Sequence, residues 1–402
     1  MEKEAGLVEQ DRKKGNRGLI VFIILLSTFA PLSTDMYLPA LPAIAKGFDT
    51  SAALVNVTLI VFFITFAVVS LVWGPLSDRF GRKIILIIGL LIYPAGSICC
   101  ALSVNAPWLI FARIVQAIGG GVTLTTSTAI TRDVYVGRKQ ETVLALVQSI
   151  ATIGPIVAPV IGAMLLALTS WRGIFWLQAA MGVAILIWSF VFHETIGARN
   201  DISILKTFVR LGVIMKNPKF SVLLPVFTLV LVGCMAFVSS STYIFQEFFG
   251  LSGRVYSYFF ALNAAGIMLG PLLYVRLTRW FERNAIIKTC FVGMAASGLF
   301  VMLFGMRGPW IFILLLLPGS VMSSAIRPAG AFVMLAQQKQ DIGAASSLLT
   351  CSGFVLGSVG MVIASLSPFN LILTVGALYL IVAAVSGVIW FMVEKNYRDT
   401  GL

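Results

Sequence analysis

Charged side chains are scarce in this chain of 402 residues, since Asp, Glu, Lys and Arg make up only 11% of it. About 25% is usual for soluble domains. Apolar residues account for 59%. A soluble core has no room to bury that much apolar surface, so lipid must be the solvent for most of the chain. The scarcity of charge therefore excludes an ordinary soluble protein.

Histidine and cysteine are also rare. His193 is the only histidine, and the five cysteines lie within apolar stretches without the spacing of metal ligands. We interpret these cysteines as small packing residues. The G-x-x-x-x-G-K-[ST] motif of ATP-binding proteins is absent, and so is a nucleophile–base pair. These absences predict that the protein has no metal site and no cofactor, does not use ATP, and is not an enzyme.

Twelve apolar stretches are long enough to cross a bilayer, for which a helix needs about 20 residues. Because backbone amides in lipid need partners within the protein, we predict helices. The predicted spans 1 to 12 cover residues 19–42, 51–73, 84–104, 107–131, 142–168, 171–192, 220–243, 254–275, 285–305, 309–334, 342–365 and 368–392. The sequence therefore predicts an all-α membrane protein, with the lipid bilayer as a partner.

Lys and Arg are distributed unequally between the two ends of these spans. With the N-terminus placed inside, 23 of the 29 basic residues fall on inner segments and four on outer ones. Positive charge accumulates on the cytoplasmic side of membranes, so both termini are predicted to be cytoplasmic. The net charge of +13 is dispersed over many loops. A nucleic-acid partner would require one basic patch, and we predict none.

Two short sequences recur at nearly one spacing. Gly74-Pro75-Leu76 ends span 2, and Gly270-Pro271-Leu272 ends span 8, 196 residues later. Pro107-Trp108 opens span 4, and Pro309-Trp310 opens span 10, 202 residues later. A duplicated six-helix unit follows, with its copies related by an axis along the membrane normal. The predicted divisions are a tail (1–18), a bundle (19–193), a linker (194–219), a second bundle (220–392) and a tail (393–402).

The segment Gly74–Lys83, with the sequence GPLSDRFGRK, matches the loop 2–3 signature of the major facilitator superfamily nearly position for position. Asp35 and the run Tyr37–Pro42 resemble the Bcr/CflA drug-resistance transporters, as do Trp171–Phe175 and Glu194-Thr195. The resemblance implies the major facilitator fold, with twelve helices in two pseudo-symmetric six-helix bundles. It also implies the cytoplasmic membrane of a bacterium, and we expect a monomer.

The same resemblance implies proton-coupled multidrug efflux, in which small lipophilic compounds are exported by rocker-switch alternating access. The partners would be such a compound and protons. The alternative is a proton-coupled exporter of one metabolite (an amino acid, nucleoside or sugar). A rich set of polar cavity residues would favour that alternative, and this chain shows few. Proton-coupled uptake and a membrane sensor or scaffold without transport are two further interpretations.

Asp35 and Arg113 are the candidates for proton coupling. Asp35 lies about two-thirds along span 1, where an acid costs ~2.5–3.5 kcal/mol and marks a functional site. A carboxyl there could exchange a proton for a substrate. Arg113 in span 4 fits, together with Gln116, the R-x-x-Q core of a second family signature. Because Asp35 is the only acid at helix depth, we predict that Arg113 couples to it directly or through water.

The central cavity would be lined by spans 1, 4, 7 and 10, as the family implies. The candidate substrate contacts are polar or aromatic side chains, namely Tyr37, Gln116, Phe237, Tyr243 and Asn263. Arg327 lies in span 10, about two turns from its inner end. We interpret Arg327 as snorkelling to the inner headgroups, with a substrate role as the alternative.

The loop signature is interpreted as a cytoplasmic gate, because its glycines permit a tight reversal and its cations could pair with an acid at the end of span 4. The predicted gate residues are Gly74, Asp78, Arg79, Gly81, Arg82 and Asp133. In span 5, Pro155, Pro159 and Gly162 resemble a degenerate form of an antiporter motif. Paired prolines kink a helix and small residues allow close packing, so we predict a kink there.

Overall fold

The computed structural model describes residues 17–196, 204–337, 342–395 and 397. Most of the two predicted tails and the middle of the predicted linker lie outside the described residues. Within these residues the structure is helical and contains no strand. Its α-helices are α1 (Arg17–Asp35), α2 (Leu41–Gly47), α3 (Ala52–Phe80), α4 (Arg82–Ala101), α5 (Ala106–Val134), α6 (Gly137–Leu168), α7 (Trp171–Val191), α8 (Ile204–Met215), α9 (Pro218–Thr228), α10 (Val230–Tyr243), α11 (Gly253–Leu277), α12 (Arg283–Phe304), α13 (Pro309–Leu335), α14 (Ile342–Leu366) and α15 (Leu371–Val393).

Most of these helices coincide with predicted spans. Among the described residues, eleven helical segments are long and apolar enough to cross a membrane, and Ile153–Leu168 within α6 is a shorter apolar helix. The predicted span 5 thus corresponds to α6. An additional helix, α8, lies where the sequence predicted only a polar linker. Its Leu211 and Ile214 are buried, so this part of the linker packs on the protein.

The first predicted span is not one continuous helix. It consists of α1, a 3-10 turn at Leu38–Ala40, and α2, and together these form one apolar segment, Gly18–Gly47, that is long enough to span the membrane. Pro39 supplies the physical reason. It has no N–H to donate to the carbonyl of Asp35 four residues earlier, and its ring would clash with that carbonyl. The helix therefore stops at Asp35, inside the apolar stretch.

Two further boundaries differ from the prediction. The α3 helix continues for seven residues beyond the predicted end of span 2 and includes Gly74 and Pro75. Span 7 is divided at Leu229 into α9 and α10, and it continues as a π-helix over Ile244–Phe248. Leu229 keeps helical φ and ψ angles, so α9 and α10 form one slightly irregular span.

The described chain packs as two compact units. The first unit contains the described residues up to Tyr37 and from Thr65 to Lys206, and the second contains Leu38–Ile64 and the described residues from Thr207 onward. In the first unit, α1 packs on α6, and α4 packs on α5 and α7. In the second unit, α10 packs on α14, and α12 packs on α13 and α15. The same pairs recur in both predicted repeats, whereas the predicted bundle boundaries stay a prediction.

Close backbone contacts recur in the same way. In the first unit, a Cβ atom on Gly162 of α6 would overlap the carbonyl oxygen of Met36, just after α1. In the second unit, a Cβ atom on Gly360 of α14 would overlap the carbonyl oxygen of Val232 in α10. The spacings of 198 and 196 residues agree with the repeat. Glycine is thus required where two helix backbones touch.

We expect Gly162→Ala to lower the thermal stability of the purified protein. The added methyl group must displace the chain around Met36, and overpacking of this kind costs about 1–3 kcal/mol. Gly343→Ala is the matched control, because a Cβ atom at Gly343 meets no atom within 4 Å. The apparent melting temperature in detergent would decrease for Gly162→Ala and stay constant for Gly343→Ala. Equal melting temperatures would contradict the packing described here.

Candidate functional site

Asp35 is the last residue of α1 and is only 7% exposed. Its carboxylate oxygen Oδ1 accepts a hydrogen bond from Thr34 Oγ1 at 3.1 Å. The position follows from the local sequence, because Pro39 ends the helix four residues later. A carboxyl group at the end of a broken membrane helix lies next to backbone carbonyls that have lost their helical partners. The break thus places an acid next to carbonyl groups that need hydrogen-bond donors from other helices.

Arg113 of α5 binds to this break. The side chain is completely buried, and Nη1 donates hydrogen bonds to the carbonyl oxygen of Ser33 at 3.0 Å and to Gln116 Oε1 at 2.6 Å. Its guanidinium carbon lies 4.8 Å from the ring centre of Tyr37 and 5.9 Å from that of Phe175. A cation at this depth is therefore held by a carbonyl, an amide and two aromatic faces.

Gln116 and Gln178 extend the contacts of Arg113 into a network. Gln116 Nε2 donates to Ser97 Oγ and to Gln178 Oε1, both at 2.8 Å. Gln178 Nε2 in turn donates to the carbonyl oxygens of Leu32 at 3.1 Å and Ser33 at 3.4 Å. We call Ser33, Tyr93, Ser97, Arg113, Gln116 and Gln178 the polar network; Tyr93 joins it through a 2.6 Å hydrogen bond between its hydroxyl and Ser33 Oγ.

The network satisfies the end of α1. The carbonyl of Ser33 belongs to the last turn of α1, whose carbonyls have no amide partner within the helix. Arg113 donates to this carbonyl, and Gln178 donates to it and to the carbonyl of Leu32. Each missing hydrogen bond to a buried carbonyl would cost about 1–3 kcal/mol. We call residues 32–35, the last turn of α1, the Asp35 segment. Its position thus depends on Arg113 through the backbone of Ser33.

The sequence predicted a direct or water-bridged pair between Asp35 and Arg113. In the described residues, the recorded partner of the Asp35 carboxylate is Thr34, and the recorded contacts of Arg113 reach the backbone two residues earlier. The two residues are thus linked through the backbone of α1, and a direct or water-bridged coupling of their side chains stays a prediction. Arg113 nevertheless places its positive charge beside the segment that carries the acid. Protonation of Asp35 would therefore change the electrostatic interaction between that segment and Arg113.

Ser33, Tyr93, Ser97 and Gln178 were missed by the sequence analysis. Gln178 carried a signal, because it is an amide in the middle of the otherwise apolar span 6. The second unit has no counterpart of the three central side chains. At the spacing of 202 residues that relates spans 4 and 10, Arg113 and Gln116 correspond to Leu315 and Pro318, and Leu378 stands 200 residues after Gln178. The guanidinium and the two amides therefore occur in the first repeat alone, although the helix packing recurs in both.

The predicted substrate contacts are all buried in this conformation. Tyr37 and Gln116 belong to the surroundings of Arg113, as described above. Phe237 packs against the rings of Phe260 and Phe312, with centroid distances of 6.0 and 6.2 Å. Tyr243 is 3% exposed and donates to the carbonyl oxygen of Ala52, and Asn263 of α11 is 2% exposed. Their role in binding a substrate stays a prediction.

The loop signature forms a second polar cluster in the first unit, centred on Arg82. Arg82 Nε lies 2.9 Å from Asp133 Oδ2, Nη1 donates to Ser77 Oγ at 2.6 Å, and the same nitrogen forms an ion pair with Asp78. The predicted pairing of the loop with Asp133 is present in the structure. Arg79 is exposed and lies over the ring of Phe80. The gating role of these residues stays a prediction.

Gly81 makes the reversal between α3 and α4. Its φ angle of 106° is in the region that only glycine adopts without strain. Gly74, by contrast, lies inside α3, where a Cβ atom would meet no atom within 4 Å. The expectation that both glycines shape the turn therefore applies to Gly81 alone. Pro155 and Pro159 lie within α6, and the kink at these residues stays a prediction.

Glu194 was noted only as typical of the end of span 6, and the structure shows what it contacts. Its carboxylate accepts hydrogen bonds from the backbone amides of Arg82 at 3.0 Å and Lys83 at 3.2 Å, the first residues of α4. A carboxylate at a helix N-terminus satisfies free amides and interacts favourably with the helix dipole. Glu194 thus connects the chain after α7 to the start of α4.

A helical membrane bundle with an acid and a buried cation inside its spans is the architecture of a membrane transport protein. This chain belongs to the Major Facilitator Superfamily, which it matches over residues 23–361. The predicted fold class is therefore confirmed. The family and the solved structures that resemble the chain are transporters rather than enzymes.

Two relatives have similar sequences. The uncharacterized MFS-type transporter YdgK of Bacillus subtilis (strain 168) is 28% identical over 397 residues, which cover 95% of this chain and 97% of that protein. The multidrug resistance protein MdtL of Escherichia coli (strain SMS-3-5) is 30% identical over 244 residues. That match spans 58% of this chain and 60% of MdtL. The narrower Bcr/CflA assignment stays a prediction.

Solved structures resemble the chain over nearly its whole length. A bacterial homologue of the human lysosomal transporter Spinster, in an inward-facing and unoccupied conformation, has a TM-score of 0.73 at 15% identity and covers 96% of this chain and 98% of its own. A D-xylose-proton symporter has a TM-score of 0.71 at 13% identity, with coverage of 91% and 96%. At these identities, the likeness shows the fold alone.

We expect Gln178→Leu to destabilise the first unit. The change removes donors from the carbonyls of Leu32 and Ser33 and a partner from Gln116, at a cost of about 1–3 kcal/mol. Leu is similar to Gln in size and helix propensity, and it is the residue found 200 positions later. A loss of stability would therefore reflect the lost hydrogen bonds. The apparent melting temperature should decrease clearly for Gln178→Leu. It should change little for the control Gln337→Leu, whose side-chain amide makes a local bond to Val333. An unchanged melting temperature for Gln178→Leu would show that the break of α1 does not depend on this amide.

Glu194→Gln should also lower the melting temperature. Loss of the negative charge weakens the cap on α4, an effect of about 0.5–2 kcal/mol. Glu282→Gln provides the matched control, because Glu282 precedes α12, the corresponding helix of the second repeat, without a side-chain capping bond. A thermal melt of both variants in the same detergent would test the assignment. The same loss of stability in both would contradict a specific cap at Glu194.

Proposed function

We propose that this protein is a proton-coupled efflux transporter that exports small lipophilic compounds. It would reside in the cytoplasmic membrane of a bacterium, with both termini on the cytoplasmic side. The observation that carries this proposal is the placement of Asp35. The acid is buried at the break of α1 and lies beside a segment that Arg113 and Gln178 hold by its backbone.

This geometry supports a proton cycle on Asp35. The carboxyl group takes up a proton when its side of the transporter is open to the outside, and releases it to the cytoplasm in the other state. The charge of Asp35 changes at each step, and the cation of Arg113 lies beside the same segment. The Asp35 segment therefore experiences a different electrostatic force in each protonation state. Alternating access by the two six-helix bundles would convert that difference into export of the compound.

The direction and the substrate class are supported by a relative and by composition. A protein that is 30% identical over 58% of this chain is described as a multidrug resistance protein. In the membrane-spanning helices of the second unit, α9 to α15, no Asp or Glu is present. Such helices suit compounds that bind mainly by apolar contact, whereas a dedicated metabolite site would need several fixed polar groups.

Transport in proteoliposomes tests the proposal. The full-length protein would be reconstituted, a pH gradient imposed, and the movement of ethidium and rhodamine 6G measured. We expect gradient-driven transport by the wild type and at least a tenfold loss in Asp35→Asn, because the amide cannot exchange a proton. Asp49→Asn is the matched control. Asp49 is exposed, and Asn tolerates its positive φ of 49°.

Each outcome has a distinct meaning. Gradient-driven transport that persists in Asp35→Asn would exclude the proposed role of this carboxyl. A wild type that moves an amino acid, nucleoside or sugar but neither dye would establish the metabolite exporter instead. Dye movement in the same direction as the protons would indicate uptake. A wild type that transports none of these compounds would favour a sensor or scaffold.

A further inference from the structure

Arg327 is an ionised side chain that the proposed proton cycle does not use. It lies in α13, eight residues before the end at Leu335, which corresponds to about 12 Å along the helix axis. The side chain is exposed. Arg113, the other arginine at membrane depth, is completely buried and held by the polar network. The two cations thus have opposite environments.

Arg327 lies on the face of α13 that is directed toward the other helices of the second unit. Ser320, Ser323 and Ser324 precede it by seven, four and three residues, so they share its face at 3.6 residues per turn. All three serines are at most 3% exposed. Phe332 and Leu314, which are 45% and 57% exposed, are rotated from Arg327 by about 140° around the helix. The apolar exposed side of α13 is therefore the lipid-facing side, and Arg327 points away from it.

This placement differs from the interpretation that Arg327 snorkels to the headgroups. A snorkelling arginine extends along the lipid-facing surface of its helix. Arg327 is instead accessible on the side where its neighbours are buried against the bundle. The guanidinium is therefore accessible from the side of α13 that faces the other helices of the second unit.

The protein offers no carboxylate to this cation among the membrane-spanning helices of the second unit. Helices α9 to α15 contain no Asp or Glu. No hydrogen bond or ion pair of Arg327 is recorded among the described residues. Nearby, Ser324 Oγ donates to the carbonyl of Val321 and the Ser320 hydroxyl bonds that of Tyr379, so both hydroxyls are engaged. A guanidinium group carries five N–H donors in a planar fork.

We propose that Arg327 binds the anionic group of a transported compound whose remaining body is apolar. The anionic group is a carboxylate, sulfonate or phosphate, because a guanidinium fork matches the paired oxygens of such groups. This inference rests on the proposed transport function and adds apolar compounds with an anionic group to its substrates. Arg327 supplies a fixed cation at the accessible inner face, and the surrounding apolar side chains accept the rest of the molecule.

Equilibrium binding of a matched pair of ligands tests the proposal without any transport step. The full-length protein in phosphatidylcholine nanodiscs would be titrated with radiolabelled 2-naphthoate and with its uncharged partner, 2-naphthamide. We expect Arg327→Gln to weaken naphthoate binding at least tenfold and naphthamide binding less than twofold. Arg327→Lys should retain part of the affinity for naphthoate, because it keeps the charge but loses the fork. Arg279→Gln, which removes an exposed arginine after α11, should change neither.

Four outcomes would overturn the proposal. These are a wild type that does not bind naphthoate, equal weakening of both ligands by Arg327→Gln, no change in either, and loss of naphthoate binding when phosphatidylglycerol is added to the nanodiscs. The last result would assign the cation to a lipid phosphate. Thermal melting of each variant shows whether folding is intact. Asp35→Asn should still bind naphthoate, so a failure of the proton cycle is distinguishable from a failure of this site.

Discussion

A backbone carbonyl inside a bilayer must find a donor within the protein, and in the first unit this requirement is most demanding where α1 stops. Pro39 prevents the helix from continuing past Asp35, so the carbonyl of Ser33 in its last turn has no amide partner within the helix. Arg113 and Gln178 donate to this carbonyl. The two glutamines Gln116 and Gln178 are buried in the hydrogen-bonded network that surrounds this carbonyl. Asp35 lies at the break because Pro39, four residues later, ends the helix at this residue.

The two repeats share a packing plan and differ in chemistry. Glycines at 162 and 360 allow the same close contact between corresponding helices. In the first unit, the space between α1, α5 and α7 is filled by a charged and amide-rich network, whereas Leu315, Pro318 and Leu378 stand at the corresponding positions of the second repeat. Duplication preserves the contacts that small residues permit. The amide and guanidinium groups of the first unit are buried together with hydrogen-bond partners, because burying them without partners is costly.

Three ionisable groups at membrane depth therefore have three different roles. Asp35 can change its charge, Arg113 holds the segment that carries it, and Arg327 presents a cation on the inner face of α13. The first two are connected through one turn of backbone, because Arg113 donates to the carbonyl of Ser33, two residues before Asp35. The loop cluster of Arg82, Asp78, Asp133 and Glu194 joins the ends of α3, α4, α5 and α7 by charge and capping rather than by apolar packing.

Much of the fold was predictable because it depends on local properties. The lengths of the apolar stretches, the alternation of basic residues and the recurring Gly-Pro-Leu and Pro-Trp sequences led to the helical membrane fold and to the helix boundaries within a few residues. Asp35 and Arg113 stood out because ionised groups are rare in lipid. The break of α1 was predictable in principle from Pro39, but apolar length alone gives no sign of where a span is interrupted.

The site's connections were decided by the tertiary structure. Gln178 is 62 residues from Gln116 and 145 from Ser33, and only packing of α7 against α1 and α5 brings these atoms within hydrogen-bond distance. Which side of α13 is buried is also a property of its neighbours, so the accessible position of Arg327 could not be read from a helix that is apolar almost all round. The sequence by itself determined which segments enter the membrane, because that depends on the transfer of each segment into lipid. The tertiary structure decided which polar groups meet, because hydrogen bonds between helices depend on distances that no local pattern encodes.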